Sequence, residues 1–78
     1  MAELILSIIN EGLPILDKLV PDQATIIRNK VIKFRGDWDA EISKGDKRDD
    51  ALLDHIELQL HDIGELFAST LKQASLKN

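Results

Sequence analysis

The chain has 78 residues, of which 44% are hydrophobic and 31% are charged, and it contains no cysteine. At this size a single core rarely supplies more than about 3–5 kcal/mol, so one domain that self-associates is expected. Without cysteine, a disulfide framework and a thiolate metal site are excluded, which makes the cytoplasm the expected compartment. No apolar run is long enough for a membrane span, and the start lacks the features of a secretory signal.

Residues 1 to 20 have an amphipathic pattern with a wide apolar arc. On a helical wheel the polar side chains share about 120°, and apolar side chains fill the rest. The pattern continues through Pro14, which predicts a helix over 2–20, either kinked there or split into two nearly collinear pieces. Because this arc exceeds one contact face, we expect it to pack on the rest of the chain and on another copy. The residues predicted at that second contact are Leu6, Ile9, Leu13 and Leu16.

A second helix is predicted over residues 22–44. Pro21 marks the boundary and Asp22 is a suitable N-cap, while Gly45 suits a left-handed C-cap. Gly36 lies inside this helix and predicts the close approach of a neighbour. Its apolar stripe consists of Ala24, Ile27, Val31, Phe34, Trp38 and Ile42.

The third predicted helix, over residues 47–76, has the most regular apolar spacing. Its start is indicated by Asp46 and Asp49, which resemble a capping box. The stripe consists of Leu53, Ile56, Leu60, Ile63, Phe67, Leu71 and Ala74. The link from the second helix is short, so the two should form an antiparallel hairpin, with the first helix covering the end of the longer third helix. We therefore predict one all-α domain, 1–78: a long antiparallel helical hairpin plus an N-terminal amphipathic helix, in a three-helix and oligomeric bundle.

Some apolar residues lie outside these stripes. Ile26 and Ile32 flank the stripe of the second helix, and Leu52 and Leu66 flank that of the third. In so small a chain they indicate helices buried on more than one side, so we predict that they contribute to an oligomer or partner interface. Trp38 is predicted to be buried in the hairpin, beside Phe34 and Ile42.

The sequence offers little chemistry. His61 lies among acidic residues on one helical face, but a zinc or iron site needs converging ligands from a second element, so we expect no metal. The acidic segment around Trp38 lacks the glycine and the final glutamate of a calcium loop. No nucleophile has an identifiable base. The expectation is a protein that is not an enzyme and has no cofactor.

Four basic residues occur in the second helix: Arg28, Lys30, Lys33 and Arg35. They could contact an anion such as a nucleotide or nucleic acid. The lysines point roughly away from the arginines, however, and the formal net charge of −4 repels a polyanion at long range, so this interpretation ranks low.

The favoured hypothesis is a small helical protein that acts through self-association and contacts with an unidentified protein partner. Its size and lack of catalytic motifs are typical of accessory or regulatory proteins of phages and bacteria. The first alternative is a peripheral membrane module that uses the N-terminal amphipathic helix. Nucleotide or nucleic-acid binding through the basic second helix is the further alternative.

Overall fold

The computed structural model describes residues 2–77. Within this range the chain forms α1 (Ala2–Leu19), α2 (Pro21–Ile42) and α3 (Asp50–Lys77), with a short 3-10 turn, Gly45–Lys47, between α2 and α3. Each helix packs on the other two, and α2 runs antiparallel to both α1 and α3 in a bundle of 49 × 16 × 15 Å. The prediction of an all-α bundle, in which a helical hairpin is completed by an N-terminal helix, is confirmed.

The link between α1 and α2 is a single residue. α1 continues through Pro14 as one helix and ends at Leu19, and α2 begins at Pro21. Val20 is the N-cap and makes no side-chain capping bond, so the prediction that Asp22 caps α2 is wrong. Proline is favoured at the first helical position because it has no N–H to leave unpaired, which explains the earlier start.

The hairpin turn is longer than predicted, since α2 ends at Ile42 and α3 begins at Asp50. Gly45 has the left-handed conformation, with φ +61°, but it begins the 3-10 turn. The C-cap of α2 is Ser43 in a right-handed conformation, so the prediction that Gly45 caps α2 is wrong. Asp49 is the N-cap of α3: its Oδ1 accepts the N–H groups of Ala51 at 3.0 Å and Leu52 at 3.2 Å. Asp46 lies in the 3-10 turn, so the capping-box pair is not formed.

Glu41 holds this turn together, and its side chain is only 4% exposed. One carboxylate oxygen accepts the N–H of Asp49 at 2.8 Å, and the other pairs with Lys44 Nζ at 2.9 Å. These two hydrogen bonds, in that order of importance, lower the pKa of Glu41 below its ordinary value against the opposing effect of burial. The carboxylate therefore connects the end of α2 to the start of α3.

The core follows the three predicted stripes, but Trp38 and Ile42 of α2 are less buried than predicted. Leu60, Ile27 and Leu16, one from each helix, are fully buried at its centre. Trp38 is only half-buried, stacks on Phe34 with ring centroids 5.9 Å apart, and borders a depression beside the start of α1. Ile42 is 41% exposed. The prediction of a buried Trp38 beside Ile42 is wrong because α1 begins level with the tryptophan and leaves the turn end of the hairpin with only two helices.

Two helical glycines have opposite surroundings. A Cβ on Gly12 would overlap the ring of Phe67, with Cε1 only 2.8 Å away, so this ring of α3 packs directly on the backbone of α1. Gly36 is exposed and has no heavy atom within 4 Å of the equivalent position. The predicted close approach therefore occurs at Gly12, and the prediction for Gly36 is wrong.

Candidate interaction surface

The inner face of α1 is used entirely by the fold. Ile9, Leu13 and Leu16 are buried against α2 and α3 within a single chain. Leu6 is half-buried and packs against the same core. The positions predicted for contact with another copy need correction, because three of these four side chains are already covered inside the chain.

The outer face of α1 is also apolar and has no covering element among residues 2–77. Its side chains are 40–60% exposed. At about 100° per residue they fall within about 60° of one another, in a row along the helix. We call this row the α1 stripe, and it consists of Leu4, Ile8, Ile15 and Leu19.

Beside the α1 stripe runs an apolar groove between α1 and the C-terminal half of α3. Its volume is about 710 Å³. Ile8 belongs to both the stripe and the groove, so the two features form one continuous surface. The other residues along the groove are Ile5, Ile9, Gly64, Phe67, Ala68, Leu71, Lys72, Ser75 and Leu76. Leu76, at 78% exposed, is the most exposed large apolar side chain in the described part of the chain.

The remaining residues predicted at an interface do not form a second surface of this kind. Ile26 and Ile32 are exposed on α2 but lie about 120° apart around that helix. Leu52 is exposed near the hairpin turn, and Leu66 is half-buried in a mixed depression between α2 and α3. Singly exposed apolar residues are normal on protein surfaces, so a role for them in contacts stays a prediction.

The four predicted anion-contact residues face two different sides of the bundle. Arg28 pairs with Asp17 of α1 at 2.7 Å, and Arg35 lies beside the start of α1. Lys33 pairs with Asp37 at 3.4 Å, and Lys30 borders the depression between α2 and α3. The structure does not bring these four side chains together into one basic site.

No metal-binding cluster of three or more His, Cys, Asp or Glu side chains occurs within residues 2–77. His61 is exposed on α3. The groups that lower the pKa of Glu41 are the Asp49 N–H and Lys44, which belong to the hairpin turn.

Sequence reasoning found the wide apolar arc of α1 but divided it incorrectly. Gly12 marks the point at which the Phe67 ring packs on the backbone of α1. It lies about 50° around the helix both from the buried pair Ile9 and Leu16 and from the centre of the α1 stripe, so its position fits either division of the arc.

Comparison of the chain with protein-family models, with curated proteins and with solved structures gave no match. None of the helices within residues 2–77 combines the length and the apolar character needed to cross a bilayer.

Proposed function

We propose that this chain is a non-enzymatic helical protein that works through self-association and protein contacts, with the α1 stripe and the adjoining groove as its contact surface. The observation that carries this proposal is the exposure of four aligned Leu and Ile side chains on a helix whose neighbouring face, about 100° around the helix, already completes the core. Contiguous exposed apolar surface on a small protein marks an interaction site. In a cell, such a protein would act as an accessory or regulatory subunit in the cytoplasm.

The size of the chain supports self-association. A chain of this size buries only part of its apolar surface in its own core. Association with another copy removes more apolar surface from water and thereby stabilises the folded state. The groove supports the same proposal because it offers a concave apolar site next to the convex stripe. A second helix laid along α1 would contact both features.

A light-scattering measurement coupled to size exclusion tests the proposal. Ile8→Glu combined with Ile15→Glu places two charges in the α1 stripe, where their burial in a contact costs several kcal/mol. The wild-type protein should be a dimer or larger, and the variant should be a monomer of unchanged helicity, because both positions are half exposed in the single chain.

The matched control is Ile26→Glu combined with Ile32→Glu, which alters two exposed isoleucines on α2. This variant should keep the wild-type mass. A wild-type chain that stays monomeric across a hundredfold range of concentration would contradict self-association. Equal loss of mass in both variants would show that the contact is not located at the α1 stripe.

Peripheral membrane association is the second candidate, because an amphipathic helix with exposed Leu and Ile can also lie in a lipid interface. The charges beside the stripe argue against it: Glu3 and Glu11 outnumber Lys18, whereas membrane-surface helices favour basic residues. Co-sedimentation with anionic vesicles, lost in the Ile8→Glu, Ile15→Glu variant and absent from the α2 control, would place this candidate first.

A further inference from the structure

We propose that two copies of the chain pair through α1 in antiparallel orientation, around a two-fold axis that passes between Glu11 and Gly12. This proposal rests on the proposed self-association and specifies its geometry. The occupant of the α1 stripe is then the α1 stripe of a second copy. The grounds are the symmetry of the stripe and the distribution of charge beside it.

The α1 stripe is symmetric about its own centre. The midpoint between Leu4 and Leu19 coincides with the midpoint between Ile8 and Ile15, and both lie between Glu11 and Gly12. When two such helices run antiparallel with their midpoints aligned, Leu4 of one copy lies opposite Leu19 of the other, and Ile8 lies opposite Ile15. Each exposed apolar side chain then has an apolar partner, as a self-complementary two-fold interface requires.

The charges beside the stripe favour the same orientation. Glu3 and Lys18 are both exposed and lie on the same flank of the stripe, near opposite ends of α1. In the antiparallel pair, Glu3 of one copy lies near Lys18 of the other. The two residues are offset by about two positions, or roughly 3 Å along the axis. The symmetry creates this complementary contact twice.

A parallel pair would place identical residues opposite each other. Its two-fold axis runs along the helices, so the flank with Glu3 and Lys18 in one copy lies across from the other flank of its partner, and Glu3 is about 22 Å along the axis from Lys18 of the partner. Glu11 lies about 50° from the centre of the stripe and, in the antiparallel pair, comes within about one residue of its own counterpart on the same flank, which is a single like-charge contact beside the axis. The antiparallel pair therefore gains two Glu3–Lys18 contacts against one Glu11–Glu11 contact, and because its interface is closed by the two-fold axis, it ends at a dimer.

Cross-linking through introduced cysteines tests the orientation without background, since the chain contains no cysteine. Leu4→Cys and Leu19→Cys are prepared as separate proteins, one of them isotope-labelled, and treated with a short bis-maleimide. The antiparallel pair predicts a mixed Leu4–Leu19 cross-link in the combined sample. It predicts little product from either variant alone, since identical positions would lie about 22 Å apart along the axis.

The alternative outcomes are distinct. Products from each variant alone, without the mixed one, would establish a parallel pair and overturn the proposal while keeping self-association. If the chain is dimeric by light scattering but the cross-linked products are no stronger than those of an Ile32→Cys control, the contact lies elsewhere on the chain. This result would also overturn the proposed antiparallel pair. The same absence of product from a monomeric chain would remove both this proposal and the proposed function.

A charge-reversal series gives a second readout that does not depend on cysteine. Glu3→Lys alone and Lys18→Glu alone should each weaken the antiparallel dimer by about two- to fivefold, the range of exposed ion pairs, and the double reversal should restore its dissociation constant. In a parallel pair Glu3 and Lys18 of different copies are about 22 Å apart along the axis, so its dissociation constant would show no coupling between the two reversals. Equal dissociation constants for all four proteins would overturn the proposed charge contact.

Discussion

The two apolar faces of α1 have similar composition but different surroundings. On the inner face, Ile9 and Leu16 are at most 1% exposed and lie among side chains of α2 and α3. On the outer face, Ile8 and Ile15 are more than 50% exposed, although each is the immediate chain neighbour of one of the buried pair. A rotation of about 100° around the helix therefore separates a residue that holds the fold from one that is free to contact another molecule.

This difference shows that hydrophobicity alone does not identify the core of a very small helical protein. The inner face is recognised by the close approach at Gly12, where the ring of Phe67 leaves no room for a Cβ. The outer face is recognised by side chains that stay 40–60% exposed in the single chain. We infer that the inner face determines the stability of the chain and that the outer face determines its association.

The largest expected difference is in the free energy of unfolding, when neighbouring residues of the two faces are each replaced by alanine. Leu16→Ala removes a fully buried side chain and should lower the free energy of unfolding by about 2–5 kcal/mol. Ile15→Ala should cost much less in dilute solution, because its side chain is 51% exposed. Urea denaturation at low protein concentration measures both values, and similar losses for the two variants would contradict the separation of the faces.

The next largest effect on stability is expected from alanine substitutions at two helical glycines, one covered by another helix and one exposed. Gly12→Ala should destabilise the protein by about 1–3 kcal/mol, because the added methyl group must displace the buried Phe67 ring. Gly36→Ala should stabilise it by about 0.5–1 kcal/mol, because alanine has the higher helix propensity and the position is open. Thermal denaturation of both variants gives the signs. A stabilising Gly12→Ala would mean that α1 and α3 are farther apart than described.

The sequence was sufficient to predict most of this fold, since three regular apolar stripes and short links determine an antiparallel hairpin with a helix beside it. It was insufficient where one arc could pack in two ways, as in α1. It also failed at Trp38, because the level at which α1 begins depends on packing. Glu41 was missed because its partner Asp49 is eight residues away and is brought close only by the turn.

Glu41 offers a smaller test at a site distant from both faces of α1. Its folded-state pKa lies below the ordinary value of 4.5, so the stability that its carboxylate contributes is present above about that pH. This stability is lost as the pH falls through the folded-state pKa. Glu41→Gln should therefore lower the Tm at pH 7 and reduce the loss of Tm on acidification, as followed by circular dichroism.

The exposed Glu65 provides a control for the Glu41 experiment. Glu65→Gln should leave the Tm and its dependence on pH close to those of the wild type. If Glu41→Gln and the wild type lose Tm in parallel between pH 6 and pH 3, the hairpin carboxylate makes no contribution that depends on its charge. Association at the α1 stripe should be unchanged in both variants.

The smallest effect is expected from the ion pair that joins α1 to α2. Arg28 and Asp17 are 2.7 Å apart but more than 40% exposed, and such pairs contribute about 0.2–1 kcal/mol. A double-mutant cycle with Arg28→Ala and Asp17→Ala should give a coupling energy in that range. The coupling should decrease at high salt, and a value above 2 kcal/mol would show that this pair, rather than apolar packing, fixes α1 on the hairpin.

The separation of the two faces is tested most directly by the solvent accessibility of α1 methyl groups, measured by NMR with a soluble paramagnetic agent at several protein concentrations. We predict that the methyl groups of Ile9, Leu13 and Leu16 are protected at every concentration. Those of Ile8 and Ile15 should be exposed in dilute solution and become protected as the concentration rises. Methyl groups of Ile8 and Ile15 that stay exposed at millimolar concentration, or exposed methyl groups on Leu16, would contradict this account.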